Sequence, residues 1–260
     1  MTYFNTAGPT RRDFLHLAGS SASAALLIPR SMYAGKKGIV PTMVDAAAKA
    51  KITIRPIRRD ISVLEGSGGN IAVLAGSDGK LLVEAGFAVS RPAITKALAS
   101  ISSDPITQLV NTHWHTDHTD GNAWLHAAGA AITAHENTRK RLSVDTRVEG
   151  WDYTFPAVSK NALPTTVFTT NFTMQHNSSR VVLQYYAPAH TDSDISVSFI
   201  EAEVMHVGDT WWNGVYPFID YSTGGSIDGQ IRAAEANVAA VTASMIAIPG
   251  HGPAGGRKEL

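Results

Sequence analysis

The densest chemistry in this chain sits in one loop, Thr112-His113-Trp114-His115-Thr116-Asp117-His118-Thr119-Asp120-Gly121-Asn122. His113, His115, Asp117 and His118 follow the spacing H-x-H-x-D-H. Imidazole nitrogen and carboxylate oxygen are the donors that a divalent metal such as zinc takes where no thiolate is offered. A lone histidine is usually an ordinary core or surface residue. Four ligand-type groups within one short loop are another matter, because each polar group buried without a partner costs roughly 1–3 kcal/mol. The pattern points to a metal loop, and its richness to two metals.

Three more ligand-type residues stand apart in the sequence but share a context. His190 follows the run Val181–Tyr186, Asp209 follows Val204–Val207, and His251 follows Met245–Ile248. Each run is apolar and β-type, and each ends beside Gly or Pro, where a strand stops and a loop begins. A ligand at a strand end has the rigid base that a preorganised site needs.

The elements that must position these residues alternate in type. Ile71–Leu74 and Lys80–Glu84 read as a hairpin joined by Gly76-Ser77-Asp78-Gly79. Ser90–Ile101 reads as a helix, with Ser90 as N-cap and Pro92 in its first turn. Ile106–Val110 reads as the strand that delivers the His113 loop, and Gly121–Ala128 as a short helix after it. Strand Ala131–Ala134 and helix Glu136–Leu142 come next, and then strands Thr166–Thr169, Arg180–Tyr186, Asp194–Ile200 and Glu203–Val207. Ser226–Met245 is expected to be a long helix with Ile231, Ala234, Val238 and Val241 on its inward face. This order fits a layered α/β domain better than a helical bundle.

His113, His115, Asp117, His118, His190, Asp209 and His251, in this order and context, resemble the metallo-β-lactamase superfamily of metal-dependent hydrolases, over about residues 60 to 255. The resemblance implies an α/β fold, a four-layer αββα sandwich with the metals at one edge. It implies that His113, His115 and His190 hold one metal, that Asp117, His118 and His251 hold the second, and that Asp209 bridges them. The expected cofactor is two Zn2+, with manganese or iron left open because nitrogen and oxygen donor sets overlap in affinity.

Within that superfamily the ligand set looks most like glyoxalase II, lactonases and related general hydrolases. One lactamase subclass places cysteine at the position of Asp209, and this chain has no cysteine. Another usually lacks an acidic bridging ligand there, which disfavours β-lactamase activity. Lactonase relatives often carry a tyrosine soon after the bridging aspartate, whereas Trp212 stands there here. The chain stops nine residues past His251, which predicts a short or truncated C-terminus without a glutathione-binding helical domain.

The implied function is a hydrolase that acts on a small molecule with a C(=O)–X bond, in a lactam, lactone, ester or thioester, through a metal-bridging hydroxide. Two metals roughly 3.5–4 Å apart can share that hydroxide, and zinc lowers the pKa of its water to roughly 7. Asp117 is expected both to bind metal and to orient the nucleophile as the catalytic residue. Asp120, Thr191 and Asp192 are candidates to hydrogen-bond the histidine rings. The alternative is a non-hydrolytic metal-binding accessory of a periplasmic redox or sulfur-oxidation system, a quinoprotein relay.

Trp151, Trp211 and Trp212 are the candidate substrate contacts, with Tyr216 and Phe218 beside them, and Trp114 is a candidate core filler. The stretch Ser143–Pro164 is predicted to form a lid over the site, since loops of such length in compact domains are usually functional. His126, His135, His176 and His206 have no motif around them and are taken as structural.

Lys plus Arg and Asp plus Glu both number 22 in 260 residues, which argues against a nucleic-acid surface or a basic membrane face. No run reaches the roughly 18–20 apolar residues of a membrane span. Thr10-Arg11-Arg12-Asp13-Phe14-Leu15 and the Ala/Ser-rich run after it resemble a twin-arginine export signal over residues 1–35. That resemblance implies the twin-arginine export machinery as a partner and a periplasmic location, and leaves residues 36–260 as one domain.

Overall fold

The computed structural model describes residues 38–260, so the expected signal region 1–35 lies outside the described residues. Helix α1 (Ile39–Ala47) leads into two antiparallel pairs, β1 (Thr53–Arg58) with β2 (Ile61–Glu65) and β3 (Ile71–Leu74) with β4 (Lys80–Val83). Three parallel strands follow, β5 (Ile106–Val110), β6 (Ala131–His135) and β9 (Thr166–Phe168). Parallel neighbours need crossovers. These are helix α2 (Arg91–Ile101) before β5, α3 (Thr116–Thr119) and α4 (Asn122–Ala127) before β6, and α5 (Glu136–Leu142) before β9. The result is a seven-stranded sheet in the order β1-β2-β3-β4-β5-β6-β9.

The second sheet has five strands in consecutive order. They are β10 (Asn171–His176), β11 (Ser179–Tyr185), β12 (Ile195–Phe199), β13 (Val204–Trp212) and β14 (Ile246–His251). The two sheets face each other. Ile61, Val63, Leu81 and Val83 of the first pack with Leu183, Val197, Phe199 and Ile248 of the second. The outer face of the first sheet, through Val73, Leu82, Leu109 and Ile132, meets Ile94 and Leu98 of α2 and Leu125 of α4. Buried on both faces, β3 and the Leu81–Val83 part of β4 are unbroken apolar runs rather than alternating ones. Helix α6 (Ile227–Ala240) lies on β13 and completes the αββα layering.

The expected elements are present, with three informative differences. The strand expected to end at Val207 runs on to Trp212. Its pairing with β14 is interrupted on both sides of Gly208, which has φ +54, and a bulge of this kind re-aims the following side chain, Asp209. A Cβ at Gly208 would also stand 2.5 Å from Thr112 Oγ1. The stretch 143–164, expected to be irregular, contains a small hairpin, β7 (Thr146–Val148) with β8 (Tyr153–Phe155).

Helix α6 is shorter than expected and turns a different face inward. Gly229, Gln230, Ala233 and Asn237 are buried, whereas Ile231 is 51% exposed. Polar anchoring overrides the apolar periodicity. Gln230 donates to the Thr210 carbonyl at 2.8 Å, and Asn237 to the Thr210 hydroxyl at 2.9 Å. Gly229 packs against Pro188 so closely that a Cβ would strike its carbonyl oxygen. Gly229→Ala is therefore expected to destabilise the fold by about 1–3 kcal/mol, and Ile231→Ala to stay within about 0.5 kcal/mol. Urea unfolding of both variants reads the contrast, and a larger loss for the isoleucine variant would contradict the orientation of α6.

Candidate metal centre

Four segments at or near the carboxyl ends of strands bring the ligand-type residues together in one cluster. The loop after β5 brings His113, His115, Asp117 and His118, with Asp117 and His118 on the short helix α3. The turn after β11 brings His190, the bulged part of β13 brings Asp209, and the last residue of β14 is His251. All seven come together, as their order in the chain implied. His251 is partly exposed and the other six are buried.

Among the described residues three groups of donor atoms are close enough to hold metal, His113 with His115, His190 and Asp209, then Asp117 with His118 and His251, and a third, Glu84 with His113 and His118, that overlaps these two. In the first, His190 Nε2 lies 2.9 Å from His115 Nδ1 and 3.4 Å from Asp209 Oδ2, and His113 Nε2 lies 3.9 Å from Asp209 Oδ2. In the second, Asp117 Oδ2 lies 3.2 Å from His251 Nε2 and 3.4 Å from His118 Nε2. Asp209 reaches both groups, since its Oδ1 lies 3.2 Å from His118 Nε2 and its Oδ2 lies 3.5 Å from His251 Nε2. His113 Nε2, His118 Nε2 and Asp209 Oδ1 are buried without a hydrogen-bond partner. Buried polar atoms that face one another unpaired fit divalent metal, which takes up lone pairs from several of them at once.

Charge is distributed unevenly across the cluster. Burial would raise both carboxyls, but His118 with His251 beside Asp117, and His118, His251 and His113 around Asp209, hold both well below the usual carboxylate range. Burial would lower the His118 and His251 rings. Asp209, Asp117 and Glu84 outweigh it at His118, which lies well above the usual range. Asp209 and Asp117 lift His251 to about 9. Burial dominates at His113 and His190, lowering the first well below the ordinary value and the second to about 4 despite Asp209.

The groups that orient the rings differ from those expected. Asp120 accepts from the Ala88 amide, Thr191 bonds Asp194, and Asp192 pairs with Arg141, so none of the three holds a ligand ring. The ring partners are instead Thr112 Oγ1, 3.0 Å from His113 Nδ1, and Glu84, 3.3 Å from His118 Nδ1. Asp220 Oδ2 lies 3.2 Å from His115 Nε2, and the Phe218 carbonyl accepts from His190 Nδ1. Asp220 is itself fixed by Thr223 Oγ1 at 2.6 Å and the Ser222 amide at 3.0 Å. Glu84 had a readable signal, a carboxylate closing the apolar run Leu81-Leu82-Val83, where a charge needs a partner. Asp220 had none, lying 105 residues from the ring it holds. Asn122 bonds Asn111 and the Ala162 carbonyl, and is no part of the cluster.

The candidate substrate contacts fall in three places. Trp151 lies over His115 at 4.9 Å between ring centroids and stacks on Phe218 at 5.1 Å. Trp212 lies against His251 at 4.7 Å. Trp211, on the opposite face of the strand, is buried among Met205, Val207, Val241 and Ala247. Trp114 is buried under the site and donates to Thr223 Oγ1 at 3.2 Å. His126, His135, His176 and His206 each bond a backbone carbonyl, as structural histidines do.

The sequence profile of the Metallo-beta-lactamase superfamily matches residues 64–256. Among solved structures, DIM-1 metallo-beta-lactamase is similar at 17% identity and TM-score 0.64, over 81% of this chain and 94% of its own. A metallo-beta-lactamase from Pontibacter korlensis is similar at 14% identity and TM-score 0.65, over 80% and 95%. At such identities the likeness is one of fold. The chain belongs to the metallo-beta-lactamase superfamily.

Metal must displace protons from the cationic side of the cluster. His118 and His251 are raised, so in the metal-free protein they keep their protons up to about 9 at His251, and affinity of the Asp117, His118 and His251 group should fall as pH drops below that value. His190, at about 4, has no proton to lose at pH 7. Calorimetric titration with zinc at pH 8, in buffers of differing ionisation enthalpy, should show net proton release on binding. No release would contradict the protonated state of His118 and His251. Asp220→Asn should weaken metal affinity by about 10–100-fold through His115, measured against a competing chelator.

Proposed function

We propose that this protein is a dinuclear zinc hydrolase that cleaves a C(=O)–X bond in a small molecule, a lactam, lactone, ester or thioester. The observation that carries the reading is Asp209, whose carboxylate reaches both donor groups, with Oδ1 beside His118 and Oδ2 beside His190 and His251. In this reading His113, His115 and His190 hold one metal, Asp117, His118 and His251 the other, and Asp209 belongs to both. Divalent zinc bound there would supply an acidified water and a Lewis acid for the carbonyl oxygen.

The chain's own residues supply the rest. Asp117, ionised at neutral pH by His118 and His251, accepts a hydrogen bond from the attacking water and aims it. Water adds to the carbonyl carbon, the C–X bond breaks, and the proton the water loses ends on X. Glu84, Thr112, Asp220 and the Phe218 carbonyl hold the rings in register, so no reorganisation is needed during the reaction. Trp151 and Trp212 wall the space above the ligands and shed water from it. Trp211 supports the strand from behind.

The absence of cysteine separates this ligand set from one that uses a thiolate at position 209. Protein carrying two zincs per chain should turn over at least one of nitrocefin, a homoserine lactone, a simple ester and a thioester, lose that activity to a chelator and regain it with zinc. No turnover of any of them by fully loaded protein would sink the hydrolase reading. Asp209→Ala should lower the occupancy of both metals by elemental analysis, and retention of two zincs would refute its shared role.

A further inference from the structure

Aromatic rings flank the histidine cluster in two places. On the side of His115, Trp151 stacks on Phe218 with an interplanar angle of 26°. On the side of His251 stands Trp212, which also lies 6.4 Å from His190. The loop that joins β13 to Asp220 continues this surface outward, where Tyr216 is 88% exposed. Large apolar side chains left facing solvent around a cavity mark a place where another apolar group is received.

The guanidiniums that neighbour Trp151 in the chain are engaged elsewhere. The charges that act on the ligand residues come from the cluster's own histidines and aspartates and from Glu84. Of the arginines on α5 and the β7–β8 hairpin, Arg139 donates to the Pro164 carbonyl, Arg141 is paired with Asp192 at 2.7 Å, and Arg147 with Glu149 at 2.9 Å and Asp152 at 2.6 Å. A substrate carboxylate brought between these walls would lose water and meet no free guanidinium there.

We propose that the acyl group this enzyme accepts is uncharged and carries a flat ring, received between the Trp151–Phe218 pair and Trp212. The inference rests on the hydrolase reading and narrows it to aryl or arylalkyl carboxylic esters, thioesters or lactones. A ring received in this way stacks on Trp151 or meets it edge-on. Each such contact is worth about three- to tenfold in equilibrium terms.

Matched p-nitrophenyl esters separate the acyl group from the leaving group. With zinc-loaded protein, kcat/KM for p-nitrophenyl phenylacetate should exceed that for p-nitrophenyl acetate by about tenfold or more, and that for the p-nitrophenyl monoester of succinate should be lower than either. Trp151→Ala should shrink the phenylacetate-to-acetate ratio by about three- to tenfold. Ratios near one, or preference for the succinate monoester, would overturn the proposal while leaving the hydrolase standing. If no ester is turned over, calorimetry with phenylacetohydroxamate and acetohydroxamate decides. Tighter binding of the aryl compound, reduced in Trp151→Ala, upholds the aromatic slot, and equal binding overturns it.

Discussion

Everything in this fold answers to one constraint. Carboxylates and imidazoles are buried in contact with one another, and several of their atoms have no other partner. His113 Nε2, His118 Nε2 and Asp209 Oδ1 are shielded from water and have no hydrogen-bond partner within the protein. Such an arrangement is unfavourable by itself, since burying unmatched polar atoms costs about 1–3 kcal/mol apiece. It persists because two packed sheets hold the strand ends rigidly, and it becomes favourable when divalent metal is bound. The stability spent here is what makes the site ready for its ligand.

That rigidity extends outward through a ring of partners. Three of the clustered histidines have their remote nitrogen hydrogen-bonded, to Thr112, Asp220 or the Phe218 carbonyl, and Glu84 faces that of His118 at 3.3 Å as an ion-pair partner. Two of these partners stand on one segment, so Phe218 to Thr223 aligns His190 and His115 together and reaches Trp114 through Thr223. The same segment presents the Phe218 ring to Trp151. Metal geometry and the wall of the cavity are thereby linked through a few residues of backbone.

The ligands were legible in the sequence for a physical reason. Metal donors within a loop must be adjacent to reach a common point, and donors at strand ends must follow a β-type run and a turn residue. Both signals are local. The orienting contacts were not, because Asp220 is 105 residues from His115, and Glu84, legible as a buried charge, gives no sign of its partner His118 a whole helical crossover later. Asp120, Thr191 and Asp192 looked suitable by proximity in the chain, yet their side chains serve the turns and the ion pair they sit in. Alternation along β13 separates Trp211 from Trp212, a distinction hidden until the strand was known to run past Asp209. A layered α/β domain was readable from the order of elements and its αββα arrangement was implied by the family resemblance, whereas the small hairpin within 143–164 was readable from neither.

Helix α6 illustrates how site and scaffold constrain each other. Periodicity predicted an apolar contact through Ile231, and the helix instead buries Gln230 and Asn237 against Thr210. An apolar face would have given comparable burial but little control over position, because dispersion contacts are non-directional and survive small slides. Hydrogen bonds are directional, and a buried one left unmade is penalised. Thr210 follows Asp209 immediately, so fixing it at both its carbonyl and its hydroxyl fixes the bulged stretch from Gly208 that aims the shared carboxylate. The close packing of Gly229 on Pro188, two residues before His190, ties a second ligand turn to the same helix. The polar face of α6 therefore sets the register of the metal centre, which is why the usual apolar rule gives way at this helix.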